Sequence, residues 1–162
     1  MAQVTKDLVL PETRLIYRNF AGRKDKFNKN GNREFGAVIP TDLADQLVEE
    51  GWLVKCTPPR NEGDDPLCFL RVSLRFDIMP PKIYMVTSRG KTRLDEDTVG
   101  LLDDADILNS DLIVRPYNWE VDGETGTKAY VKSLWVTIDE TPFDIKYADL
   151  PEAGAPEIET ED

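Results

Sequence analysis

The sequence predicts a mainly β fold, a small Greek-key barrel with one or two short helices. Three observations predict it. Residues 67–76 alternate strictly, with Cys68, Leu70, Val72, Leu74 and Phe76 on one face and Phe69, Arg71, Ser73 and Arg75 on the other, the period of a half-buried antiparallel strand. Asp122-Gly123-Glu124-Thr125-Gly126 separates two strand-like runs, a hairpin signal. Strand patterns follow one another with only brief helical interruptions, and the βαβ alternation of a parallel sheet is missing.

Taken in order, the expected strands are Arg14–Phe20, Glu34–Ile39, Trp52–Thr57, Leu67–Phe76, Lys82–Thr87, Asp111–Val121 and Lys128–Ile138. Each is rich in β-branched and aromatic residues and is bounded by Gly, Pro, Asn or Asp. Thr41 is a good N-cap for a helix over Asp42–Glu50, Gly51 sits where a C′ glycine belongs, and Leu43, Leu47 and Val48 form its apolar stripe. Asp95 is expected to cap a second helix, roughly Glu96–Asp103.

Composition narrows the chemistry. The chain has 162 residues, 40% of them hydrophobic, enough for one domain with a core of ordinary size. No apolar run approaches the roughly 20 residues of a membrane-spanning helix. The N-terminus, Met-Ala-Gln-Val-Thr-Lys-Asp, lacks an apolar stretch of the secretory type, so no signal peptide is expected. Cys56 and Cys68 are therefore read as reduced thiols, small buried apolar side chains of an intracellular, cytoplasmic protein. There are no histidines, which excludes Ser-His-Asp and Cys-His catalysis. Two cysteines alone do not complete a zinc site. Neither an enzyme nor a cofactor is expected.

Charge is distributed unevenly. The net charge is −11, yet residues 14–33 hold seven bases (Arg14, Arg18, Arg23, Lys24, Lys26, Lys29, Arg33) and one acid, Asp25. Residues 82–93 hold Lys82, Arg89, Lys91 and Arg93 and no acid. The last fifteen residues hold six acids and no base. Residues 1–150 thus read as a folded domain and 151–162 as a disordered acidic tail, whose only large apolar residue is Ile158. Basic patches interleaved with aromatics suggest a polyanion site.

Two constellations carry that reading. In the first, strand residues lead into a loop rich in Gly, Asn and Lys, running from Tyr17 to Phe35. Arg18, Arg23, Lys24, Lys26, Lys29 and Arg33 would follow a phosphate backbone, with Phe20 and Phe27 as candidates to stack on bases. Phe20 and Phe35 individually fit the core better. In the second, a register pairing Val121 with Lys128 sets Trp119 opposite Tyr130 and Tyr117 opposite Lys132. One face then presents Arg115, Tyr117, Trp119, Tyr130 and Lys132: charge for phosphates and π-faces for bases. The competing reading is an aromatic ladder in the core.

Arg71, Lys82 and Tyr84 join the candidate site from neighbouring strands. Thr87-Ser-Arg-Gly-Lys-Thr-Arg93 lacks phosphate-loop spacing and reads as a basic connector touching nucleic acid through Arg89, Lys91 and Arg93. The acidic group Asp95, Glu96, Asp97, Asp103, Asp104 and Asp106 is read as structural, since acids are favoured at a helix N-terminus, and not as a metal-dependent nuclease site.

Several segments carry a resemblance: Arg18-Asn-Phe-Ala-Gly22, Lys26-Phe-Asn-Lys-Asn-Gly-Asn-Arg-Glu-Phe35, Gly51-Trp-Leu-Val-Lys55 and Asp111-Leu-Ile-Val-Arg-Pro-Tyr-Asn-Trp-Glu120. They resemble phage-encoded single-stranded-DNA-binding proteins. The resemblance implies an OB-fold, the commonest nucleic-acid-binding form of a Greek-key barrel, with an acidic tail. It implies sequence-independent coating of single strands in phage replication, recombination or repair, with replication proteins recruited through the tail and a homo-oligomer compatible with that role. Some relatives end the tail in an aromatic or apolar residue. This chain ends Thr160-Glu161-Asp162, so recruitment is less well supported than DNA binding. The alternative from a different class is an acidic DNA mimic or protein-interaction module, motivated by the charge of −11. Mimics spread carboxylates over the folded surface, whereas this chain collects six in its last fifteen residues and clusters bases in the body.

Overall fold

The structure is a computed structural model that describes residues 4–77, 79–147 and 150. The elements run β1 (Leu8–Leu10), β2 (Leu15–Asn19), β3 (Arg33–Ile39), α1 (Thr41–Glu50), β4 (Val54–Thr57), β5 (Leu67–Leu74), β6 (Lys82–Thr87) and β7 (Gly90–Leu94). A 3-10 turn (Val99–Asp103), β8 (Ile107–Val121), β9 (Glu124–Ile138) and α2 (Pro142–Lys146) complete the order. The expected acidic tail, 151–162, lies outside the described residues.

The strands form one bent sheet ordered β1-β8-β9-β5-β3-β2, with β4 added to β5 and β6 linking β9 to β7. The path does not close on itself, so the barrel is open and OB-like. Most pairs are antiparallel, as expected. The long β9 is the exception: β5 meets it near Ala129 and Tyr130, β6 meets it from Ser133 to Thr137, and both run parallel to it. At fifteen residues, β9 is long enough to take the two strands one after the other.

Alternation decides what is buried. Phe35, Ala37 and Ile39 of β3 face inward with Leu70, Val72 and Leu74 of β5 and with Leu112, Val114, Val131 and Leu134 of the β8–β9 hairpin. Phe20 and Phe35 stack at 5.0 Å inside this core, as their apolar character suggests. Burying each large side chain completely contributes roughly 1.5–3 kcal/mol.

Five expectations are corrected. The β8–β9 hairpin is tighter than a Val121–Lys128 register: Val121 pairs with Glu124, Trp119 with Gly126, Tyr117 with Lys128 and Arg115 with Tyr130. Asp122 (φ 51°) and Gly123 (φ 83°) form the turn, and two successive positive-φ residues match the twist of the flanking strands. The slip is even-numbered, so the aromatics keep their face. Lys132, expected opposite Tyr117, lies beyond it and is paired at 2.6 Å with Asp7.

Cys56 and Cys68 are not free thiols. They stand opposite one another in the β4–β5 register and are joined as a disulfide. The segment 87–93 is not a connector but the turn and second strand of a β6–β7 hairpin, with Thr87 opposite Gly90. The second helix shrinks to the 3-10 turn. Asp95 instead holds the turn before it, accepting from the N–H groups of Asp97 and Thr98. Finally, Thr41 is the first residue of α1, preceded by Pro40 as N-cap. Gly51 closes that helix as expected, with φ 113°, and the following Trp52 N–H donates to Leu47 O at 3.0 Å.

Candidate nucleic-acid interface

The outer face of β8, β9 and β5 gathers the aromatic and basic side chains. Their positions follow from alternation: odd residues of β8 and even residues on the first half of β9 point away from the core. Trp119 lies across Gly126, its cross-strand partner. A Cβ at Gly126 would sit 2.5 Å from the indole Cζ2, so only a glycine lets the ring rest on the backbone there. The ring remains 36% exposed. Tyr117, 57% exposed, meets Tyr130 edge-on at 6.1 Å. Lys128 stands 5.3 Å from the Tyr130 ring.

From β5, Arg71 projects onto the same surface, 3.7 Å from Glu34. A cavity of about 300 Å³ lies between Arg71, Lys55, Lys128 and Trp119. Beside it, Arg75, Met79, Arg115, Pro116, Tyr117 and Tyr130 line a second of about 350 Å³. Arg75 is paired with Asp77 at 2.6 Å. That hydrogen bond, with a smaller contribution from Tyr130, raises the guanidinium above its ordinary value. Tyr17 extends the aromatic surface: an irregularity in the β2–β3 register and its own φ of 52° turn it outward, edge-on to Phe69 at 5.4 Å.

The basic loop between β2 and β3 divides into two kinds of side chain. Arg18 donates at 2.8 Å to the carbonyls of both Leu102 and Ala105. Arg33 donates to Phe20 O at 2.8 Å. Both guanidinium groups are thereby tied to the fold. Arg23 lies 3.8 Å from Asp103. Lys24, Lys26, Phe27 and Lys29 are exposed, with Phe27 at 88% and Lys26 over its ring. The loop is held from inside by Asn28, whose side chain bonds Arg23 O, Asn32 O and Asn32 N–H. Its far end, Gly31 to Arg33, borders the cavity that Lys128 and Tyr130 also line.

Tyr84, Lys91 and Arg93 gather elsewhere, on the β6–β7 hairpin. Lys82 is exposed at the start of β6. Arg89, in the hairpin turn, donates to Leu150 O.

Sequence reasoning missed Lys55, Lys128, Gly126 and Trp135. Alternation from Tyr130 back to Lys128 and Gly126 carried a signal for two of them, but Gly126 read as part of the turn. The acidic residues serve the fold: Asp103 accepts from Phe20 N–H at 2.6 Å and Ala21 N–H at 3.1 Å. Among the described residues no three His, Cys, Asp or Glu side chains group as metal ligands, and no helix is long and apolar enough to cross a membrane.

The family model described as a putative phage ssDNA-binding domain matches residues 1–162. The single-stranded DNA-binding protein from bacteriophage Enc34 superposes with a TM-score of 0.54 at 10% identity, over 94% of this chain and 87% of that one. Its C-terminal truncation gives 0.52 at 12% identity, over 85% and 88%. At these identities the likeness is one of fold. No curated protein matches in sequence.

Proposed function

The chain belongs to the family of putative phage single-stranded-DNA-binding domains, and on that premise we propose that it binds single-stranded DNA, with little sequence preference, through the outer face of β8, β9 and β5. The observation that carries this reading is the juxtaposition of Trp119, Tyr117 and Tyr130 with Arg71, Lys128 and Arg115. Flat rings exposed on a rigid sheet accept any base, because every base has a π-face. The cations among them neutralise phosphates without reading sequence. Lys24, Lys26 and Lys29 on the neighbouring loop add backbone contacts.

No helix among the described residues carries the Arg and Asn side chains that would read a major groove, so duplex is bound much more weakly. The role is non-catalytic coating of strands exposed in phage replication, recombination or repair, in the cytoplasm of a bacterial host. Residues 1–150 form the binding domain. The acidic segment 151–162 is a handle for replication or recombination proteins and a competitor for the DNA site, a reading supported by its charge, and a homo-oligomer is compatible with the same role.

The test is a salt-titrated binding series with single-stranded DNA, duplex DNA and RNA of equal length. Preference for the single strand, and a loss of about 1–3 kcal/mol for Trp119→Ala with the fold intact, is the expected result. Equal affinity for duplex at physiological salt would sink the proposal.

A further inference from the structure

The far half of β9 carries a second aromatic–basic group. Trp135 on β9 pairs in register with Tyr84 on β6, and the rings stack at 5.9 Å with planes 19° apart. Arg93 lies opposite Tyr84 on β7. Lys91 and Arg93 bring their charges to 4.8 Å and 5.9 Å from the Tyr84 ring. Across three adjacent strands the order is therefore Trp135, Tyr84, then two cations. Among the described residues no carboxylate lies within ion-pair distance of Lys91 or Arg93. A pair of aromatics that only sealed a core would be fully buried, but Trp135 and Tyr84 both keep part of their surface in solvent.

This group and the first site are two ends of one strand. From Gly126, under Trp119, to Trp135 is nine residues of β9, roughly 30 Å at the rise of a β-strand. The charges between are asymmetric. On the flank of β9 occupied by β5 and β6 stand Arg71 and Arg75, paired with Glu34 and Asp77, and then Lys82, Arg93 and Lys91, which make no ion pair among the described residues. On the opposite flank Arg115 stands beside Tyr130 near the first site, but farther along Asp111 pairs with Trp135 in register, and Asp7 neutralises Lys132. A polyanion lying along β9 is drawn to the β5–β6 flank and away from the β1–β8 flank.

We propose that Trp135 and Tyr84 are a second base-stacking platform, with Lys91 and Arg93 as its phosphate contacts. One DNA strand then runs along β9 from Trp119 to Trp135, its backbone on the β5–β6 side. This rests on the DNA-binding reading above and deepens it by giving the path and length of the bound strand. Such a track holds an oligonucleotide well above the lower end of the roughly 4–16 nucleotides that OB-folds cover. The first platform, with more cations around it, is occupied by short strands.

The experiment uses the full chain and oligodeoxythymidylates of four and sixteen nucleotides. Tryptophan emission reports stacking directly, because Trp52 is buried at 3% exposure and only Trp119 and Trp135 face solvent. In Trp119→Phe, the sixteen-mer is expected to quench the remaining emission, and in Trp119→Phe with Trp135→Phe it is expected not to. Lys91→Ala with Arg93→Ala, both exposed and remote from the core, should weaken the sixteen-mer about tenfold and leave the four-mer unchanged. If the sixteen-mer fails to quench Trp119→Phe, or the double alanine variant binds both lengths as the parent does, the second platform is overturned while the first stands. If the parent binds neither oligonucleotide, the DNA-binding reading itself falls, and this inference with it.

Discussion

At Gly126 a single hydrogen in place of a side chain determines what Trp119 can do. An added Cβ would lie 2.5 Å from Cζ2 and 2.7 Å from Cε2, well inside van der Waals contact, so the indole has to leave. Gly126→Ala is therefore expected to shift tryptophan emission and weaken single-strand binding, while the melting temperature barely moves, because alanine suits a strand better than glycine. A variant with unchanged binding would show that the seat of Trp119 is immaterial. Asp103 works in the opposite sense, for the fold. Its side chain is 3% exposed and receives two backbone N–H groups. Asp103→Ala leaves the N–H of the buried Phe20 without this acceptor, at a cost of about 1–3 kcal/mol, while the N–H of the exposed Ala21 can turn to water. Urea denaturation measures this.

Among the elements, β4 depends most on one covalent link. Among the described residues it pairs only with β5, over four residues, and the Cys56–Cys68 bond closes a loop with a sequence separation of 12. Chain-entropy reasoning puts the contribution of such a loop at about 3 kcal/mol. Unfolding midpoints with and without reductant, or for Cys56→Ser with Cys68→Ser, should differ accordingly; coincident midpoints would mean that β4 is held by its ladder alone.

The turn before the 3-10 segment has a titratable latch. Hydrogen bonds from Thr98, first its hydroxyl and then its N–H, hold the Asp95 carboxyl below its ordinary value. Because the folded value is the lower one, the latch is fully present above the ordinary carboxylate pKa and is lost as pH falls through the depressed value. The protection of the Asp97 and Thr98 amides, measured as exchange relative to the intrinsic rate at each pH, is expected to fall in that acid window. The Asp144 carboxyl in the capping box of α2 is depressed likewise, by Thr141, and follows the same direction.

For the whole molecule the decisive quantity is where charge sits. A net charge of −11 repels a polyanion at long range, and at physiological ionic strength screening cuts that repulsion off beyond about 8 Å. Local fields from Arg71, Lys128, Arg115 and the loop lysines then dominate at the surface of the sheet. Each phosphate neutralised on a single strand contributes about 0.7 to the slope of log affinity against log salt. Removing Lys24, Lys26 and Lys29 together should lower the slope by roughly 2 without altering base preference. An unchanged slope would assign that loop to solvent.

Much of this was legible in the sequence. Alternation through 67–76 named the inward side of β5, and Cys68, Leu70, Val72 and Leu74 are buried as expected, with Phe76 partly buried beyond the end of the strand. The Asp-Gly turn announced the hairpin, and the odd positions 115, 117 and 119 announced its outer face, because side chains alternate whatever the partner strand does. The basic loop, too, was visible as composition. What the sequence left undetermined is everything that depends on which strand lies beside which. The loop offered six cations of equal promise, and only the packing of the 3-10 segment against β2 ties Arg18 to two carbonyls, as only the pairing of β2 with β3 brings Arg33 to the Phe20 carbonyl. Cys56 and Cys68 looked like isolated thiols until the β4–β5 register set them face to face. Lys128 and Gly126 joined the site through a two-residue turn instead of a six-residue one, and Trp135 met Tyr84 only through a parallel pairing. Local periodicity sets which way a side chain points; its neighbour is set by pairings between distant segments, and those are selected by the burial of the whole core.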